Sequence, residues 1–274
     1  MRHAARWNVL FALFILGNQA QAQPQEQPQS LSQPQPAVCE GDYVCISERT
    51  AVGLDKRSEP PKIAGRVQPE RCPEAPVDVM AASSEERHLV CSAAHDVVQR
   101  LGRCEISLRR PLDVEIVDEV RHPVSADPIF GFFDTNRERV LISQERAIPS
   151  LAEGTPYAVL PQRDFYRSVI VHEVVHGIMH QNLKRPALSH AAYEYPAYAL
   201  QVESLPPDVR DKLLSAVPNA VGSGELRVND AILFFDPFLF AVRAYGHLKS
   251  ATDGCAQLHA LLEGQASFVP ILPP

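Results

Sequence analysis

The sequence has no apolar run of the roughly 18 residues needed to span a bilayer, so no stable membrane insertion is expected of the mature chain. It has no basic excess either. Lys and Arg number 26 against 33 Asp and Glu, a formal net charge of −7. That balance argues against a nucleic-acid partner held through a basic face. None of the six cysteines forms a Cys-x-x-Cys pair. A thioredoxin-like redox site and a cysteine-rich zinc site are therefore not indicated. No segment repeats, and no cysteine closely follows the first apolar stretch, so a lipid-anchored lipoprotein is not indicated.

What is present reads first as an export signal. Residues 1–22 combine a basic start (Arg2, Arg6), an apolar core from Val9 to Leu16 and a small-x-small site at Ala20-Gln21-Ala22. Cleavage after Ala22 removes two arginines and no acid, taking the charge from −7 to −9. All six cysteines lie beyond that point. In an oxidising periplasmic or extracellular compartment they form up to three disulfides, with about 15 connectivities open. Residues 23–38 are a Gln/Pro-rich linker with too little apolar surface to order. Residues 39–80 read as an irregular, disulfide-tied region with one or two short strands, and residues 81–274 as the folded body.

Hydrophobic residues make up 45% of the 274-residue chain, enough for a sizeable core. Ser83 or Ser84, followed by Glu85 and Glu86, marks a helix start. Leu89, Val90, Ala93, Ala94, Val97, Val98 and Leu101 recur at helical spacing, and Gly102 marks a stop. Leu112–Val120 alternates as a strand. Ile129–Phe133 and Val140–Ile142 read as two strands around a hairpin at Asp134–Glu138. Four helices are expected next: Asp164–Asn182, bounded by Pro186, then Tyr193–Ser204, Val209–Val217 and Pro237–Ser250. A helix, then strands, then helices is an α+β pattern.

The first long helix of that half carries His172-Glu173-Val-Val-His176. Residues i and i+4 share a helix face, about 6 Å apart along the axis. Two imidazoles so placed can reach one Zn2+ at about 2.0–2.1 Å. Glu173 sits where a carboxylate can take a proton from an activated water. Val169, Ile170, Val171, Val174, Val175, Ile178 and Met179 make the helix apolar nearly all round, hence buried. Polar groups inside it need partners. Three residues compete as third ligand. His180 lies eight residues past His172, about 12 Å along the axis, too far for one ion on an unbroken helix. Glu194, 18 positions after His176, allows a turn and a return on a second helix. Glu203, near that helix's end, is the weaker candidate. Pro196 places Glu194 in the first turn of its helix. Tyr198, Tyr245 and His247 are candidate donors to a developing oxyanion, although each is more readily read as a packing or surface residue.

The motif and the downstream Glu resemble the gluzincin branch of zinc metallopeptidases. Glu194-Tyr-x-Ala-Tyr198-x-x-Gln201 and Asp236-Pro-Phe-x-Phe-Ala-Val-x-Ala-Tyr245 also resemble an uncharacterised bacterial family of zincin-like secreted proteins, over roughly residues 83–265. The metzincin pattern does not fit, since Met179 and Asn182 stand where it has Gly and His. The resemblance implies a zincin-like α+β domain with a small antiparallel sheet and a helical half carrying the HExxH helix. It implies one Zn2+ on His172, His176 and Glu194, with Glu173 as general base, and a hairpin edge that takes an extended peptide by strand addition. The expected function is hydrolysis of a peptide or protein substrate in the exported compartment. The alternative is a catalytically inactive zincin-like binding protein of the envelope.

Overall fold

A computed structural model describes residues 68–123, 126–185, 189–217, 228–266 and Phe268. All of them fall in the unit Arg66–Pro274. The expected signal segment, the Gln/Pro-rich linker, Cys39, Cys45 and Pro186 lie outside the described residues.

Two short strands come first, β1 (Glu70–Arg71) and β2 (Val77–Met80). Helix α1 (Ser84–Gly102) follows, capped by Ser83, whose hydroxyl accepts from the Glu86 amide at 3.1 Å. Next are β3 (Leu112–Val117), β4 (Val120–Arg121), β5 (Pro128–Ile129), β6 (Gly131–Asp134) and β7 (Arg139–Ser143). The helical half contains α2 (Ile148–Ala152), α3 (Gln162–Asn182), α4 (His190–Glu203), α5 (Pro207–Ala216), α6 (Asp230–Phe235), α7 (Pro237–Ser250) and α8 (Gly254–Leu262). The α+β class holds. No helix among the described residues is long and apolar enough to cross a membrane.

The main sheet runs β1-β2-β3-β7-β6. Its centre is parallel, with β2 beside β3 and β3 beside β7; β1 and β6 are antiparallel at the two edges. This corrects the expected antiparallel sheet. A whole helix, α1, separates β2 from β3, and a crossover of that length sets consecutive strands parallel. Because β1 and β2 belong to the sheet, the folded body also begins earlier than residue 81. The strand expected over Leu112–Val120 ends at Val117. Val120 and Arg121 pair instead with Pro128 and Ile129 in a separate two-stranded ribbon. Buried Ser143 ties that ribbon to β7, accepting from the Val120 amide at 2.8 Å and donating to the Ile129 carbonyl at 2.7 Å.

The strands bury alternate residues: Val77 and Val79 on β2, Leu112 and Val114 on β3, Val140 and Ile142 on β7. Each full burial of such a side chain stabilises by about 1.5–3 kcal/mol. Against them pack α1, through Leu89, Val90, Ala93, Ala94, Val97 and Leu101, and α3. A β-carbon at Gly177 would stand 2.7 Å from the Leu112 methyls, so this glycine lets α3 lie close upon β3. Two disulfides are formed among the described residues. Cys72–Cys91 ties the β1–β2 turn to α1, and Cys104–Cys255 ties the end of α1 to α8.

Candidate metal centre

Helix α3 is buried along most of its 21 residues. Its partner α4 begins earlier than the sequence reading had it. Ser189 caps it, accepting from the Ala192 amide at 3.1 Å. Glu194 is therefore in the second turn, and Pro196 is an interior helix residue. This corrects the expectation that Pro196 marks the first turn. The proline removes one helical hydrogen bond, but it is buried on a helix packed against both α3 and α7, and that packing holds the helix through it.

The two helices run antiparallel. Ser168, His172 and His176 on α3 meet Gln201, Tyr198 and Glu194 on α4 in reverse order. The result is a convergence of three ligand atoms. His172 Nε2 and His176 Nε2 are 3.1 Å apart, and Glu194 Oε2 lies 3.4 Å from each. The side chains are 11%, 4% and 27% exposed, respectively. Among the described residues this is the one group of three or more His, Cys, Asp or Glu side chains able to hold a metal ion. Four ligands at about 2.05 Å around a tetrahedral zinc stand about 3.3 Å from one another. The three separations match that edge, and two imidazoles with a carboxylate form a donor set suited to zinc.

The surroundings fix the rings. His172 Nδ1–H donates to Gln201 Oε1 at 3.0 Å, which leaves the Nε2 lone pair facing the other two ligand atoms. Gln201 Nε2 in turn reaches Ser168 Oγ at 3.5 Å, and that hydroxyl donates to the Phe165 carbonyl at 2.7 Å. His176 is held differently. Its Nδ1 is buried with no hydrogen-bond partner among the described residues, and the Tyr193 ring stacks on it at 4.6 Å. Phe165, seven residues before His172 and so on the same helix face, anchors an aromatic cluster: Tyr157 stacks on it at 4.4 Å and Phe130 meets it edge-on at 5.1 Å.

Glu173 is buried and lies against β6, with Gly131 as its neighbour. Burial pushes its carboxyl up to about 7; His172 pulls it down and Glu194 raises it further. A carboxyl in that range both takes and returns a proton at neutral pH. For Glu194, burial alone would raise the carboxyl, but His176 and His172 together hold it well below the usual carboxylate range.

The remaining candidates are elsewhere. Glu203 pairs with Arg100 at 3.2 Å, and His180 sits 4.0 Å from Glu138 beside Phe133. Tyr198 is at the site, its ring 4.5 Å from that of His172. Tyr245 lies under the Arg210 guanidinium, and His247 Nδ1 is engaged by the Tyr195 hydroxyl at 2.8 Å. Sequence reasoning gave no role to Gln201, Tyr193, Ser168 or Gly131. The first had a signal: Glu194, Tyr198 and Gln201 are spaced i, i+4, i+7 and share one face. So had Gly131, an isolated glycine in a strand pattern.

A family model described as a family of unknown function, DUF6639, matches residues 77–270. The chain belongs to the DUF6639 family. The match runs from β2 past α8 and so includes His172, Glu173, His176 and Glu194. No curated protein and no solved structure matches the chain.

Proposed function

We propose that this DUF6639 protein is an exported zinc-dependent metallopeptidase. The observation that carries the reading is the closure of His172, His176 and Glu194 to 3.1–3.4 Å, with Glu173 next to His172 on α3. A bound Zn2+ supplies polarisation of the attacking water and of the scissile carbonyl. His172, His176 and Glu194 hold the ion, and Gln201 keeps His172 in the ligating tautomer. Glu173 receives the proton released by the water and delivers it to the leaving amine.

On this reading the substrate lies along the free edge of β6. Ser143 N donates to the Phe130 carbonyl at 2.9 Å, so alternation along the antiparallel pair turns the N–H and C=O of Gly131 away from β7. An extended peptide adding to that edge runs past Glu173. Export is supported by the two disulfides, which persist in oxidising compartments. The reading is tested with Glu173→Gln in a peptide-library digest with and without chelator. Glu173→Gln is expected to keep its metal and lose turnover by at least about 100-fold. Peptide hydrolysis equal to wild type by that variant refutes the mechanism, and chelator-independent silence of the wild type favours a binding role instead.

A further inference from the structure

Gly131 is the first residue of β6, the edge strand beside α3. Its backbone is not in the left-handed region that favours glycine, and glycine weakens a strand. Conformation does not explain its presence. What a side chain would meet does. A β-carbon at 131 would stand 2.7 Å from both Cγ and Oε1 of Glu173 and 2.9 Å from Cδ. All three nearest heavy atoms belong to this one side chain, and Glu173 is itself buried. The adjustment forced by a methyl group at 131 therefore falls on the Glu173 carboxyl and not on backbone.

We propose that Gly131 is the positioning residue for Glu173: the absence of a side chain at 131 sets where the carboxyl stands relative to His172 and Glu194. Its catalytic meaning rests on the metallopeptidase reading; the contact itself does not. The strand thus has two roles at one residue, offering backbone to an extended chain and leaving room for the acid beside it.

The experiment is a double-mutant cycle in thermal unfolding with wild type, Gly131→Ala, Glu173→Ala and the double variant, run with chelator and again with zinc. Gly131→Ala is expected to lower Tm by about 3–8 °C when residue 173 is Glu and by about 0–1 °C when it is Ala. An equal loss in both backgrounds overturns the proposal. If Gly131→Ala does not fold, recovery of folding in the double variant supports it, and failure in both overturns it. On the zinc-loaded chain, Gly131→Ala is expected to lose about 100-fold in kcat with KM and metal content unchanged. Wild-type kcat in Gly131→Ala, with Glu173→Gln inactive, overturns the positioning role and leaves the peptidase reading intact. If Glu173→Gln itself equals wild type, the peptidase reading fails and the unfolding cycle alone decides the role of Gly131.

Discussion

Removing the Cys104–Cys255 bridge should destabilise the protein more than removing Cys72–Cys91, and the structure sets the difference. The first bridge closes 151 residues of chain, a loop that contains α3, α4 and the whole candidate centre; the second closes 19. The conformational freedom each denies the unfolded chain amounts to about 5 and about 3 kcal/mol at 25 °C. Folded contacts survive either loss. Apart from the disulfide, α8 is held by His259 Nε2 against the Cys104 carbonyl at 2.7 Å and by the Lys184 amide donating to Leu262 at 2.9 Å. The effect therefore falls on the unfolded state. Against a typical total of about 5–15 kcal/mol, the longer bridge is a large share. The assay is guanidinium unfolding of wild type, Cys104→Ala/Cys255→Ala and Cys72→Ala/Cys91→Ala at one pH. A loss in the Cys72/Cys91 variant equal to or greater than that in the Cys104/Cys255 variant refutes the loop-entropy reasoning.

Two further outcomes are expected. Gln201→Leu strips the acceptor from His172 Nδ1–H while keeping the volume, and zinc affinity should fall about 10–100-fold in a chelator competition; unchanged affinity contradicts the orienting role. Burial lowers the pKa of both His247 and His180, with Arg110 adding to the shift at His180. Each binds a proton more readily unfolded, so the stability they confer is complete above the unfolded value of about 6.5 and is lost as pH falls through the folded values. Because the raised Glu173 carboxyl acts in the opposite sense over the same range, the histidine contribution is read as a difference. In denaturant titrations at pH 5–7, His247→Gln should become more stable relative to wild type as pH falls, and an identical pH dependence of the two counts against the assignment.

Local signals carried the helices well. The Ser83 cap and the buried stripe of α1 are where spacing put them, and α7 spans Pro237–Ser250 as read. Hydrophobic runs of ten or more residues leave few alternatives to a helix. Shorter elements had no such support. β2 is four residues within a proline-rich stretch, and only its pairing with β3, 35 positions away, makes it a strand. That pairing is also what makes the sheet parallel. Pro196 misled for a related reason: proline disfavours a helix interior in isolation, and burial between α3 and α7 outweighs that preference. At the centre, residue types and spacing picked out His172, Glu173 and His176, because one helical turn brings i and i+4 together without help from the fold. Glu194 was one of three candidates for third ligand, favoured by the resemblance, and it meets the two rings only once α4 packs on α3. Gly131 and Glu173 are 42 positions apart, and their contact exists only after β6 and α3 pack. The same holds for Gln201 and His172, which meet only because α4 returns antiparallel to α3.

The most direct measurement is the metal content and zinc affinity of the purified protein beside its Glu194→Ala variant. About one equivalent of zinc per wild-type chain is expected, with the variant under-loaded and at least about 100-fold weaker in affinity. A Glu194→Ala variant that holds zinc as fully and as tightly as the wild type contradicts the three-ligand centre.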